Sequence, residues 1–222
     1  MKENTETVEK VKEFGQSTIQ TSRGNKIEVV TIIGEIEGHD VLSGNAKSTK
    51  YEHLIPQLIA LDNDEDVEGI LFVLNTIGGD VECGLAIAEL IASLKTPTVS
   101  LVIGGSHSIG IPLAVSTDYS FIVPTATMLV HPVRITGTVL GAPQTYYQFY
   151  QMQERIVDFI CSHSRIERYD FEGMMMNKET MAKDLGTILV GKEAVEHKLI
   201  DSVGGLKDAI KHLKNMGEND KK

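Results

Sequence analysis

Two glycine-rich segments and one histidine carry the side chains and backbone groups that can do chemistry together. Gly104-Gly105-Ser106-His107-Ser108-Ile109-Gly110 follows one apolar run and opens another, which places Ser108 at the entry to a helix. Strand, tight turn, serine, helix is how a nucleophile elbow presents a hydroxyl on rigid backbone, although the strict G-x-S-x-G string is missing because Ser106 stands where its first glycine belongs. A nucleophilic serine needs a base. Of the seven histidines, His131 is best placed, after the apolar residues 128–130 and before Pro132. His107 adjoins Ser108, but neighbouring side chains at a helix entry point apart. His39, His53, His163, His197 and His212 fall in loops or on charged faces. The second segment, Asn75-Thr76-Ile77-Gly78-Gly79-Asp80, also lies between a buried run and a helix. Backbone N–H groups at such turns hold an anion, either a phosphate or the oxyanion of a tetrahedral intermediate. The plainer alternative makes Ser108 a helix N-cap and the glycines a means of close packing.

The elements that must position these groups alternate between strand and helix. Residues 26–33, 69–74, 98–103 and 119–123 read as short β-branched or apolar strands, and 128–130 as a further short one. Segments 51–61, 80–94, 109–116, 143–162 and 192–198 read as helices. Alternation of this kind implies an α/β fold with parallel strands and crossover helices. Ligands then collect at the carboxyl ends of the strands, where both glycine-rich turns lie. Residues 38–50 read as an exposed loop, and 199–202 follow the last helix. Tyr146, Tyr147, Phe149 and Tyr150 crowd into the long helix, and Met174-Met175-Met176 reads as core.

Composition narrows the function classes. With 21 basic and 31 acidic residues, a formal charge of −10 disfavours general nucleic-acid binding. Hydrophobic residues make up 41% and charged residues 23%, a globular balance. Cys83 and Cys161 form no CxxC pair, so neither a disulfide framework nor a cysteine-rich zinc site is expected. The charged N-terminus lacks the apolar stretch of a signal peptide, and no segment approaches the ~20 apolar residues of a membrane span. The expectation is a cytoplasmic protein. It divides into a polar segment 1–20, one domain over 21–213 and a frayed tail 214–222.

Across roughly residues 26–205 the chain resembles the ClpP family of self-compartmentalising serine peptidases. Asn75-Thr76-Ile77-Gly78-Gly79 with Gly84-Leu85-Ala86-Ile87 is similar to that family's N-S-P-G-G and G-M-A-I, and Ser108-Ile109-Gly110 to its S-M-G. Pro124 with Met128-Leu129-Val130-His131 is similar to its P…V-M-I-H, and residues 193–201 to its E-A-x-E-Y-G-L-I-D. No single motif is specific, but four in order are. The resemblance implies a ClpP/crotonase-type fold with a protruding helical handle. It makes Ser108 the nucleophile and His131 the base, with the N–H groups of Gly79 and Ile109 as oxyanion hole and Gly78 and Gly105 beside the substrate. It asks for an aspartate to orient His131. Asp184 is nearest, two residues closer than the family spacing, and Asp170 is the second choice. No metal or cofactor is called for.

Departures from the pattern point to a divergent, translocation-enhancing branch of that family, associated with export of presecretory proteins. Ile77 replaces a proline, Ser106-His107 replaces a small pair, His131-Pro132 lacks an intervening glutamine, and residues 39–50 look inserted. The expected activity is serine endopeptidase action on peptides or unfolded segments. The expected assembly is a homo-oligomeric ring of roughly six or seven subunits, with the secretion machinery or an unfoldase as possible partner. Two alternatives stay open: a weak or inactive scaffold that binds secretory precursors or a partner, and a crotonase-type acyl-CoA enzyme.

Overall fold

The structure is a computed structural model and describes residues 17–21, 24–39, 45–134, 141–178 and 185–219. Its frame is one twisted sheet in the order β1-β2-β4-β5-β6-β9. These strands are β1 (Ser17–Gln20), β2 (Lys26–Glu37), β4 (Val67–Gly79), β5 (Thr98–Ser106), β6 (Tyr119–Ile122) and β9 (Ser202–Val203). Between β2 and β4, β3 (Ser48–Lys50) pairs in parallel with β2. All ladders of the frame are parallel except β1 on β2, which pairs Ile19 with Ile27 in antiparallel register.

Period-two alternation divides the core between the two faces of the sheet. Val30, Ile32, Phe72, Leu74 and Val102 point to one face. Three helices cover it: α1 (Tyr51–Asp62), α2 (Val81–Ala92) and α3 (Gly110–Val115). Helix α2 contributes Ile87, Ala88 and Ile91, all essentially inaccessible to water; full burial of each isoleucine stabilises by ~1.5–3 kcal/mol. Ile27, Val29, Leu71, Val99 and Leu101 point to the other face. There Ala209 and Leu213 of the C-terminal helix cover them.

A second, smaller layer branches from the end of β5. Strand β7 (Thr127–Val130) touches β5 through the single pair Gly105–Thr127 and pairs along its length, antiparallel, with β8 (Thr187–Val190). Helix α4 (Ala142–His163) buries Val157, Phe159 and Ile160 near its end, while its first half stands away from the body as a handle. Helix α5 (Arg168–Met175) folds back against it, with Arg168 paired to Glu154, Asp158 and Glu172. Helices α6 (Lys192–Glu196) and α7 (Leu206–Asn219) complete the described chain. No described helix is long and apolar enough to cross a membrane.

Several expectations are corrected. The sheet is mixed rather than all parallel, because β1 and β8 return antiparallel. Residues 75–79 and 104–106, read as turns, continue strands β4 and β5, since ladder bonds to neighbours outweigh the poor strand preference of glycine. Residues 17–20 form an edge strand, and residues 48–50 of the expected loop form β3. Residues 214–219, expected to fray, extend α7, which Leu213 anchors. Met174 and Met175 are buried as expected, but Met176 is exposed.

Candidate active site

The ends of β4 and β5 build the site. Thr76, buried beneath the β4 end, donates to the Gly34 carbonyl at 2.6 Å and accepts from the Gly78 N–H at 3.1 Å. Gly78 and Gly79 have φ of +93° and +151°. A side chain on Gly79 would overlap the backbone of Ile36. Asp80 donates its N–H to the Ile36 carbonyl at 3.0 Å. Gly79 lies at this strand end on the same concave surface as Ser108. The Asp80 carboxylate then caps α2 by accepting from the Cys83 N–H at 2.9 Å.

Ser108 is held in left-handed backbone, at φ +57°. For a residue with a Cβ this conformation is strained by about 1–2 kcal/mol, the sort of local cost that concentrates at functional turns. The surroundings impose it. The His107 N–H donates to the Thr76 carbonyl, the Ser108 N–H to the Leu129 carbonyl, and the N–H groups of Gly110 and Ile111 to the carbonyls of His107 and Ser108. Buried Ser106 donates to the Gly110 carbonyl at 2.7 Å. Ser108 is therefore not the helix cap, which falls at Ile109. Gly84 on α2 leaves the room that the Ile109 side chain fills.

A cavity of about 180 Å³ opens in front of Ser108. Gly79, Ser108, Ile109 and His131 all line it, so residues from three segments far apart in sequence share one concave surface. Ile111, Ile156, Ile160, Phe171 and Met175 give it an apolar wall, and Arg134 brings a cation. His131 follows the last residue of β7, and its Nδ1 lies 2.7 Å from the Pro132 carbonyl oxygen. A carbonyl can only accept, so Nδ1 carries the proton and Nε2 is left as the basic nitrogen. Behind this surface, His107 Nε2 lies 2.9 Å from Thr127 Oγ1. Burial, and secondarily the charge of His131, hold the His107 imidazole below the usual histidine range.

The other expected site residues fare differently. Gly78 and Gly105 do not line the cavity; Gly78 packs behind Ser108, and the Gly105 N–H is used by the Asn75 side chain at 2.9 Å. Asp170 lies exposed on α5, away from the cavity lining. Asp184 lies outside the described residues. Sequence reasoning missed Arg134 and the wall supplied by α4 and α5. The spacing of Phe171 and Met175, four apart, is the signal that points to an apolar face on α5. Among the described residues, no cluster of three or more His, Cys, Asp or Glu side chains could hold a metal ion.

Residues 24–207 match the family model described as Clp protease. The chain belongs to the Clp protease family. It is 48% identical over 211 residues to the translocation-enhancing protein TepA of Halalkalibacterium halodurans, covering 95% of this chain and 82% of that one. It is 26% identical over 167 residues to an ATP-dependent Clp protease proteolytic subunit of Streptococcus uberis, covering 73% of this chain and 82% of that one. The corresponding subunit of Lactococcus lactis is 27% identical over 167 residues, covering 73% and 81%. The α/β frame with its projecting α4 is the fold this membership implies.

Proposed function

We propose that this Clp-family protein holds extended polypeptide segments of exported precursors in the Ser108–His131 cleft and assists their translocation from the cytoplasmic side, with hydrolysis slow or lost. The observation that carries this reading is the 48% identity, over nearly the whole chain, to a relative named for enhancing translocation. Identity to the proteolytic subunits is 26–27% over a shorter span. The geometry supports a peptide site. Beyond the Thr76–Ser106 pair, the end of β4 has no β5 partner, and its last residue, Gly79, lines the cleft. An extended segment can add there as a strand and place one apolar side chain against Ile156 and Phe171.

A second reading, serine hydrolysis, is favoured by the convergence of Ser108, His131, Gly79 and Ile109 on one cavity. In it the Ser108 hydroxyl attacks the scissile carbonyl and His131 Nε2 takes its proton, later returning it to the leaving amine. The N–H groups of Gly79 and Ile109 hold the oxyanion. Asp184 remains the aspartate proposed to complete the triad. A crotonase-type acyl-CoA role gains no support from the Clp match or from so small a cleft.

The separating experiment uses the parent and Ser108→Ala. Each is assayed for fluorophosphonate labelling, fluorogenic-peptide cleavage, binding of a precursor-derived peptide by anisotropy, and precursor translocation in vitro. Scaffold function predicts that Ser108→Ala binds and assists as well as the parent. Loss of assistance together with loss of cleavage would install the peptidase reading in its place. Absence of peptide binding by either protein would remove both.

A further inference from the structure

Strand β7 leads directly into His131, yet it is poorly anchored to β5, the strand that leads to Ser108. It is four residues long, and its ladder contact with β5 is the single pair Gly105–Thr127. Its four-residue pairing runs the other way, to β8. Besides the packing of Met128 and Val130 in the core, two hydrogen bonds tie β7 to the turn at 107–109. One is a backbone bond, from the Ser108 N–H to the Leu129 carbonyl at 3.0 Å. The other is a side-chain bond, His107 Nε2 to Thr127 Oγ1 at 2.9 Å. The ring is seated for that bond: it lies against Gly105, where an added Cβ would come within 3.1 Å of Nε2.

We propose that His107 is a positioning residue, its bond to Thr127 fixing β7 against the serine turn and so holding His131 in register with Ser108. The inference rests on the reading that Ser108 and His131 act together in the cleft. Burial, and secondarily the neighbouring His131, lower the His107 pKa and so favour its neutral form. A neutral ring can make this bond without placing a positive charge beside the base.

The test uses full-length protein and two readouts. Thr127→Val removes the hydroxyl at nearly constant shape, and Thr127→Ser restores it. His107→Ala removes the ring, and His107→Gln returns a polar nitrogen to about the same place. One readout is the second-order rate of fluorophosphonate labelling at Ser108. The other is the NMR signal of carbon-13-labelled His131, assigned by its loss in His131→Gln, which needs no nucleophile. Thr127→Val and His107→Ala should slow labelling at least tenfold and should shift and broaden the His131 signal. Thr127→Ser and His107→Gln should restore both toward the parent. If Thr127→Val is folded and its His131 signal and labelling match the parent, the proposal is overturned, whatever His107→Ala does. If the parent itself does not label but its His131 signal responds as expected, the catalytic reading fails and the positioning role stands.

Discussion

Gly78 and Ser108 are packed so closely that a methyl group on Gly78 would sit 2.8 Å from the Ser108 Cβ. The end of β4 thus forms the floor on which the serine rests, and both residues have positive φ. Gly78→Ala should fail twice, through backbone strain at φ +93° and through collision with Ser108. Alanine at a site needing φ above zero costs more than ~1 kcal/mol before any clash is counted. The variant should melt several degrees lower and lose labelling of Ser108. Parent-like melting and labelling would show that the two segments are free to separate.

Ser108 itself offers a sharper comparison. Ser108→Ala removes the hydroxyl but keeps a Cβ at φ +57°, so its stability should stay close to that of the parent. Ser108→Gly also removes the hydroxyl and relieves the strain. It should be more stable than Ser108→Ala by roughly 0.5–1 kcal/mol, less whatever the more flexible unfolded chain returns. Denaturant unfolding of both variants decides this, and equal midpoints would mean that the strain of the left-handed turn is no larger than the chain entropy that glycine adds to the unfolded state. Neither variant should label with fluorophosphonate.

The parts of this site legible in the sequence were those with local signals. Ser108 and His131 each follow an apolar strand, and glycine pairs mark where backbone comes close. The structure brings both residues to one cavity with Gly79 and Ile109. What the sequence concealed is tertiary. Glycines 78, 79, 104 and 105 look like turn residues, yet ladder pairing keeps them in strands. The cavity wall comes from α4 and α5, and α5, with its internal glycine and only eight residues, has too weak a pattern to stand out. The role of Thr127 could not be read at all, because nothing local tells a strand threonine which side chain it will meet.

The handle predicts assembly. Tyr146, Tyr147 and Tyr150 are 71%, 61% and 49% exposed along the projecting half of α4. Aromatic side chains grouped in this way on a solvent-facing helix are suited to burial against another copy. Light scattering should give a mass several times that of one chain. Tyr147→Glu or Tyr150→Glu should shift it downward, since a charge buried at an interface without a partner is costly. A parent that is monomeric at micromolar concentration contradicts this.

Cys83 tests the burial of α2. The residue is 2% exposed, and burial, with the Asp80 carboxylate adding to it, pushes the thiol pKa up to about 12. A thiolate is the reactive form, so native protein at pH 8 should resist alkylation at Cys83 and react at ordinary rates once unfolded. Mass spectrometry after iodoacetamide treatment distinguishes the two. Fast native labelling at Cys83 would mean that α2 opens locally.

His107 gives the site a definite response to acid. Its folded-state pKa lies below the ordinary histidine value of about 6.5, chiefly through burial and secondarily through the charge of His131. The unfolded chain therefore binds a proton at this position more readily than the folded one. The full contribution to stability is present above about pH 6.5 and is lost as pH falls from there through the depressed folded value. His107→Gln keeps a neutral polar group next to Thr127 but has nothing to protonate. The other six histidines and the carboxylates are common to both proteins, so the comparison isolates position 107. Between pH 7.5 and 5.5 the melting temperature of the parent should fall further than that of His107→Gln, the difference opening only below about pH 6.5. Parallel curves across that window would mean that the imidazole is solvated when the chain is folded, and a half-buried neutral ring bonded to Thr127 could not then be its resting state.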